Sequence, residues 1–185
     1  FIGNLDRVTF GGKNSYMGGP IVLKLGSTTQ FINIYGSTFA YNFTDAADAS
    51  AGVTAHKGTA NIKNCVFGGN HIYPGATTAK CPSDIKVGDE GVVNISYSVL
   101  GYEKERSVYS TASGVYNEGL GVIYSDPMFV SRPEDVTNMI TRSTIKYNWN
   151  SGDSLTYLYS FPNTPETYEK IASIDVHLLS TAGYV

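Results

Sequence analysis

Charge is scarce in this chain of 185 residues, because Asp, Glu, Lys and Arg together account for only 16% and the formal net charge is -3. No basic run exceeds two neighbouring charges, so the attraction to phosphates on which nucleic-acid binding depends is missing. No stretch approaches the roughly 18 consecutive apolar residues that a membrane-spanning helix needs. We therefore expect neither a nucleic-acid partner nor a membrane-spanning segment.

Cysteine is also rare, with only Cys65 and Cys81 in the chain. Neither belongs to a CxxC motif or has a nearby His, which excludes the usual zinc-binding patterns. Cys65 occupies a position that small residues take in other repeats, which favours a buried free thiol. A disulfide between the two is the alternative in an oxidising compartment. No cofactor is expected.

What the chain does have is a repeat. Ile34–Asn42 reads IYGSTFAYN and Ile62–Asn70 reads IKNCVFGGN, with Ile, a small residue, Phe and Asn in the same places. Residues 5–13 and 95–103 are weaker copies. The Phe position of the four copies falls at Phe10, Phe39, Phe67 and Leu100. A recurrence at intervals of about 30 residues indicates one supersecondary unit per copy.

Two further series share this period. One consists of Ile21, Val53, Ile85 and Val115, which recur at nearly the same interval. The other consists of the short runs 31–34, 60–62 and 92–95, which lead directly into the first series. These apolar runs do not exceed about six residues, and glycine separates them, whereas the spacing of an amphipathic helix is absent. The sequence therefore predicts an all-β chain.

Short strands that recur at this interval favour the coils of a parallel β-helix, in which equivalent residues stack along the axis. We predict a right-handed parallel β-helix solenoid of about four coils over residues 1–131. The Phe series and the Ile21 series would form two interior ladders, and Asn42 and Asn70 would stack at a turn. Residues 132–185, which lack the period, would be an irregular, aromatic-rich cap or insertion and a closing strand of the same domain.

The motifs resemble a known group of proteins. FxxN at 1–4, 39–42 and 67–70, alternating with GGPI at 18–21, resembles the FxxN and GGA(I/L/V) repeats of chlamydial polymorphic outer membrane proteins and bacterial adhesin-like β-helices. SDPMFV at 125–130 and IDVHLLSTAG near the end are similar to closing segments of the pectin-lyase-like superfamily. The resemblance implies an extracellular or bacterial cell-surface location, and further coils of the same longer chain as partners.

A catalytic site of the kind found on this fold would need acids and bases at the same strand position in successive coils. The outward positions beside the Phe series are Thr9, Thr38, Val66 and Val99, which supply none. His56 and Lys86 alone could be neighbours, and they do not make a site. The pairs 45/48 and 89/90 are too sparse for a Ca²⁺ loop. We therefore predict no catalytic and no metal-binding residues.

Aromatic residues of the non-repeating segment are the candidates for binding. Rings can stack on sugars, and we predict glycan contact through Tyr147, Trp149, Tyr157 and Tyr159, with packing of the cap as the competing interpretation. Three functions are consistent with these residues. The first is an adhesin-like or glycan-binding module of a secreted or surface-displayed protein, whose ligand would be a polysaccharide or a host surface. The others are a fragment of a polysaccharide lyase or glycoside hydrolase, and a structural stalk or phage-fibre segment.

Overall fold

The computed structural model describes residues 5–6, 20–44, 50–72, 82–129, 141–148, 153–160 and 165. Strands make up most of this part, with one short helix, α1 (Lys104–Ser107). The strands are β1 (Leu5–Asp6), β2 (Ile21–Lys24), β3 (Phe31–Tyr35), β4 (Thr38–Ala40), β5 (Phe43–Thr44), β6 (Val53–Lys63), β7 (Val66–Gly68), β8 (His71–Ile72), β9 (Ile85–Ser96), β10 (Val99–Leu100), β11 (Val108–Ser110), β12 (Val115–Glu118), β13 (Ile123–Tyr124), β14 (Thr141–Asn148) and β15 (Asp153–Ser160).

Parallel pairing organises the first thirteen strands into three sheets. Their orders are β1-β5-β8, β4-β7-β10-β13 and β2-β6-β9-β11, and in the third sheet β3 also pairs with β6 and β12 with β9. Most of these strands thus bond to the equivalent strand of the next repeat, as the period predicted. The first copy is out of register, because Leu5 pairs with Phe43 and not with Ile34, to which the predicted copies align it. The predicted all-β class with parallel pairing is therefore confirmed.

The Phe series forms a buried ladder. Phe39 pairs with Phe67, their rings are stacked with centroids 4.6 Å apart, and Leu100 continues the column. All three side chains are fully buried. The prediction is confirmed for these residues, whereas Phe10 lies outside the described part of the chain. Tyr124, paired with Leu100, adds a fourth position that the series did not include.

The Ile21 series is correct for three of its four members. Ile21, Val53 and Ile85 are in register, but the residue that pairs with Ile85 is Val108. The predicted fourth member, Val115, pairs instead with Val92. In the fourth repeat a turn at 111–114 separates β11 from β12, and spacing alone could not show which of the two strands continues the ladder.

Two strands are longer than the short runs that the sequence predicted. β6 has 11 residues and β9 has 12, so that two of the predicted series merge into one strand in these two repeats, whereas β2 and β3 and also β11 and β12 stay separate. The strands continue through a register shift between Ala55 and Lys57 instead of breaking at a loop. At Gly91 a Cβ atom would stand 2.0 Å from the Ala55 carbonyl oxygen, so only glycine fits beside this bulge.

The predicted cap, residues 132–185, is described only in part. β14 and β15 pair antiparallel along their whole lengths, from Thr141 opposite Ser160 to Asn148 opposite Asp153. The predicted closing strand near the end lies outside the described residues. None of the helices that the structure describes has the length and apolar character needed to cross a membrane.

Candidate functional site

A chain of polar side chains lies inside the molecule. Asn42 and Asn70 are fully buried, and Asn70 Oδ1 accepts hydrogen bonds from the backbone N–H of Asn42 at 3.1 Å and from its Nδ2 at 3.0 Å. Asn70 Nδ2 donates to the Phe39 carbonyl oxygen at 3.0 Å and to Asp84 Oδ1 at 2.9 Å. The predicted stacking of the two asparagines is therefore confirmed, and the chain continues to a carboxylate.

Asp84 ends this chain and is itself fully buried. Its Oδ2 accepts a hydrogen bond from the Gly101 backbone N–H at 3.0 Å, and the Ser107 side chain contributes another. Burial raises the pKa of Asp84 to about 6, against the lowering effect of the bonds from Asn70, Ser107 and Gly101 and of the Arg106 charge. The carboxyl group thus bonds to Asn70 of one repeat, to Gly101 of the next and to Ser107 of α1, and these contacts give it a structural role.

A second asparagine ladder lies on the outer face of the third sheet. Asn33, Asn61, Asn94 and Asn117 occupy equivalent positions in β3, β6, β9 and β12. The Nδ2 group of each asparagine donates to Oδ1 of the one before it, at 3.0, 2.8 and 2.8 Å along the ladder. Asn33 and Asn117 are exposed and the two middle residues are half-buried. The sheet thus presents a continuous row of side-chain amides.

One neighbouring column on this face combines rings with a cation. Strand alternation places Tyr35, Lys63 and Ser96 beside the amides, and Gly119 follows the last strand. Tyr35 and Tyr97 are more than half exposed, at 58% and 53%. The Lys63 ammonium lies 5.5 Å from the centroid of the Tyr97 ring, within the range of a cation–π contact. A shallow groove of about 410 Å³ is lined by Asn61, Asn94 and Asn117 together with Tyr35, Lys63, Ser96 and Gly119.

The other neighbouring column is largely apolar. It consists of the positions two residues before each asparagine, namely Phe31, Thr59, Val92 and Val115. Phe31 is 62% exposed and Val115 is 43% exposed, while the two between them are half-buried. Exposed apolar side chains beside a polar row are typical of surfaces that bind ligands with both kinds of group.

A cluster of ionisable groups lies where the Asn ladder ends. Glu118 Oε2 accepts hydrogen bonds from Lys104 Nζ at 2.6 Å and from the Tyr124 hydroxyl at 2.7 Å. The Tyr116 and Tyr124 hydroxyl oxygens are 3.0 Å apart. The Lys104 bond, followed by the Tyr124 bond, lowers the pKa of Glu118, and burial raises the pKa of Tyr116 to about 12. Glu118 and Tyr124 take the places that Ile95 and Leu100 occupy one repeat earlier, so the ladders become polar at the fourth repeat.

The predicted glycan-binding residues lie on the antiparallel ribbon of β14 and β15. Tyr147 pairs with Ser154, Tyr157 with Thr144 and Tyr159 with Arg142, whereas Trp149 lies outside the described residues. By strand alternation, positions 157 and 159 share one face of the ribbon and position 147 belongs to the other. Glycan contact through these residues stays a prediction.

His56 and Lys86, which the sequence suggested as neighbours, occupy different positions of the sheet. Lys86 pairs with Thr54 and is buried, with its ammonium 5.5 Å from the Tyr109 ring centroid. His56 lies in the bulge, where it approaches Gly88. The structure therefore does not place the two in one register.

The acidic pairs that the sequence rejected as Ca²⁺ loops can be followed only in part. Asp45 and Asp48 lie outside the described residues. Glu90 forms a salt bridge to Lys57, with Oε2 and Nζ 2.9 Å apart. Among the described residues no three His, Cys, Asp or Glu side chains are grouped closely enough to hold a metal ion.

Cys65 is buried and carries a free thiol, as the small-residue position predicted. Its Sγ donates to the carbonyl oxygens of Lys63 at 3.3 Å and Ile34 at 3.4 Å, and its backbone N–H donates to the Ser98 hydroxyl at 3.1 Å. Cys81 lies outside the described residues. Burial raises the pKa of the Cys65 thiol, which disfavours the reactive thiolate form.

Sequence reasoning missed the outer asparagine ladder. Its signal is the dipeptide Asn-Ile at 33, 61 and 94, which stands in the runs that were used only to predict strands. Since the Ile of each dipeptide faces the core, strand alternation places the Asn on the surface. Comparison of the chain with protein-family models, with curated protein sequences and with solved structures finds no match.

Proposed function

We propose that the chain is a glycan-binding, adhesin-like module of a secreted or surface-displayed bacterial protein, built as a right-handed parallel β-helix. Parallel pairing of each strand with the equivalent strand of the next repeat supports this architecture, since Phe39 pairs with Phe67 and Val66 with Val99. The buried ladders support it too. The proposal retains the resemblance to polymorphic outer membrane proteins and to the pectin-lyase-like superfamily, and with it further coils of a longer chain.

The outer face of the third sheet is the observation that carries the proposed binding. A row of amides, exposed tyrosine rings and one ammonium lie side by side on this face. Sugars present hydroxyl groups at their edges and C–H groups on their faces, so they bind where hydrogen-bonding amides stand beside rings. The row spans four strands at about 4.8 Å each, which suits a linear polymer better than a single sugar.

The proposal assigns no catalytic step to this chain. In its described part, the cluster of Lys104, Glu118, Tyr116 and Tyr124 contains an acid, two phenols and an ammonium. These groups hydrogen-bond to one another, and burial, followed by the bonds to Tyr116 and Glu118, raises the pKa of Tyr124 further from neutrality. A general base needs a pKa near the working pH, which this phenol does not have.

Binding to a panel of polysaccharides tests the proposal and separates the two candidate surfaces. One variant, Tyr35→Ala with Tyr97→Asn, removes rings from the outer face. Asn is chosen at position 97 because the backbone there has a φ of 49°, which Asn tolerates. A second variant, Tyr157→Ala with Tyr159→Ala, changes the ribbon.

We expect the outer-face variant to lose at least about tenfold in affinity, the equivalent of one or two ring contacts. The ribbon variant is expected to bind as the unaltered chain does. Loss of binding only in the ribbon variant would move the site to Tyr157 and Tyr159. Failure of the unaltered chain to bind any polysaccharide of the panel would overturn the proposal.

A further inference from the structure

The three columns of the outer face select for a particular chemical group, and this inference rests on the proposed glycan binding. An apolar column runs through Val92, an amide column through Asn94 and a polar column through Ser96, each continuing across the paired strands. A ligand that matches all three must carry an apolar group, a hydrogen-bonding group and hydroxyl groups side by side. The order of the columns therefore restricts which substituents a bound sugar can carry.

The amide column offers both donors and acceptors. A carboxamide has two N–H groups and two acceptor lone pairs. Each inner asparagine, or rung, of the ladder donates one N–H to the asparagine before it and accepts one hydrogen bond from the asparagine after it. Every inner rung therefore keeps one N–H and one oxygen lone pair for a ligand. The N–H and C=O of a secondary amide point in opposite directions, so an acetamido group can accept from the free N–H of one rung and donate to the free oxygen of the next, whereas a hydroxyl group offers a single oxygen for both.

The apolar column supplies a place for a methyl group beside that amide. Val92 and the Thr59 methyl are half-buried between the exposed Phe31 and Val115. An acetamido group has both parts in the required order, since its methyl group follows directly on its amide. Contact of the methyl with Val92 would remove apolar surface from water on both sides.

We propose that this face binds a linear polysaccharide of N-acetylated amino sugars lying along the asparagine ladder. In an extended β-1,4-linked chain each sugar advances by a distance close to the inter-strand spacing of about 4.8 Å. Successive sugars are turned over, so acetamido groups on one side recur at every second sugar and meet every second asparagine. Four rungs thus accommodate two acetamido groups, and the hydroxyl edges face Ser96 and Lys63.

Three oligosaccharides with the same β-1,4-linked backbone, each of six sugars, test the proposal. They are the hexamers of N-acetylglucosamine, of glucosamine and of glucose, which differ only in the substituent at C2. Calorimetric titration of the purified chain is expected to give at least tenfold tighter binding of the acetylated hexamer than of either other hexamer. Equal affinities, or a preference for glucosamine or glucose, would overturn the inference.

The outcome also distinguishes this inference from the function on which it rests. If none of the three hexamers binds but another polysaccharide of the panel does, the proposed function stands and the acetamido preference is wrong. If no polysaccharide binds, both are wrong.

Variants identify the columns. Val92→Thr keeps the shape of the side chain and replaces one methyl by a hydroxyl, so it should reduce the preference for the acetylated hexamer over the glucose hexamer about threefold or more. Asn94→Ala should weaken acetylated-hexamer binding about tenfold. Glu105→Gln, at an exposed residue of α1 that belongs to none of the three columns, is the control and should bind normally. An unchanged preference in both Val92→Thr and Asn94→Ala would contradict the assignment of the columns.

Discussion

The molecule contains two asparagine ladders that use the same hydrogen bond in opposite surroundings. Inside, Asn42 Nδ2 donates to Asn70 Oδ1 at 3.0 Å, and both residues are fully buried. Outside, Asn61 Nδ2 donates to Asn33 Oδ1, also at 3.0 Å, on a solvent-facing strand surface. The hydrogen bond has the same length in both ladders, so the two ladders differ in their exposure to solvent.

Solvent decides what each ladder contributes. A buried amide that loses its partner keeps the full cost of desolvation, about 1 to 3 kcal/mol for each group left unsatisfied. An exposed amide that loses its partner bonds to water instead. The inner chain should therefore stabilise the fold, whereas the outer ladder contributes little to stability and can take ligand groups in place of water. The predictions below test inner residues, outer residues or both.

The largest difference is expected between an inner and an outer ring. Phe67→Ala removes a fully buried side chain that stacks on Phe39, and should lower the free energy of unfolding by about 3 to 5 kcal/mol. Phe31→Ala, at a side chain that is 62% exposed, should change it by less than about 0.5 kcal/mol. Urea titration measures both. A loss below about 1 kcal/mol for Phe67→Ala would mean that the ladder is not part of the core.

Asp84 should make the inner chain sensitive to pH. Its pKa is about 6 in the folded protein against an ordinary value of 3.8, so the folded state binds the proton more readily. Its contribution to stability is therefore fully present below about pH 3.8 and is lost as the pH rises through about 6. The difference corresponds to about 3 kcal/mol.

Asp84→Asn is the control for this pH dependence, because it keeps the size of the side chain and removes the titration. Burial, followed by the Arg106 charge, lowers the pKa of His71 and gives a dependence of opposite sign, which both proteins share. The expected result is that the free energy of unfolding of the parent minus that of the variant falls between pH 4 and pH 6.5. A constant difference over that range would contradict the raised pKa.

The rate at which a thiol reagent modifies Cys65 tests whether solvent is excluded from the interior. In a Cys81→Ser background the thiol is the only one left, and it is buried with a raised pKa. A thiol reagent should modify it at least about tenfold more slowly in the native protein than in denaturant, since only the exposed thiolate reacts. Equal rates would place Cys65 at the surface.

The smallest effect is expected for the outer ion pair of Lys57 and Glu90. The side chain of Glu90 is 57% exposed, and pairs of this kind contribute roughly 0 to 1 kcal/mol. Glu90→Gln should therefore change the free energy of unfolding by less than about 1 kcal/mol, and less still in high salt. A loss comparable to that of Phe67→Ala would show that the outer face is as important for stability as the core.

The buried ladders could be predicted because burial imposes a repeated residue type at a fixed spacing. Phe39 and Phe67 share a position in successive copies, and their pairing in the sheet follows from that spacing. The prediction went wrong at Val115, where α1 and a turn enter the fourth repeat. An insertion shifts the spacing without changing the residue type, so Val108 and Val115 look equally suitable in the sequence.

The outer ladder was harder to predict, because solvent-facing positions tolerate many residue types and a repeated Asn has an ordinary explanation in turns. Asn42 and Asn70 fit that explanation, while Asn33, Asn61 and Asn94 lie in strands. Asp84 could not be assigned to the inner chain from the sequence at all. It precedes β9 and lies outside the repeated segments, and only the fold brings its carboxylate to Asn70 and Gly101.

The most direct measurement of the central claim, that the inner asparagines hold the fold and the outer ones can bind a ligand, compares Asn70→Ala with Asn61→Ala. Asn70→Ala leaves Asn42 and the Phe39 carbonyl oxygen without this partner in a buried site and should lower the free energy of unfolding by about 3 kcal/mol or more. Asn61→Ala, where water replaces the amide, should cost about 1 kcal/mol or less. Equal losses in urea titrations of the two variants would contradict the claim.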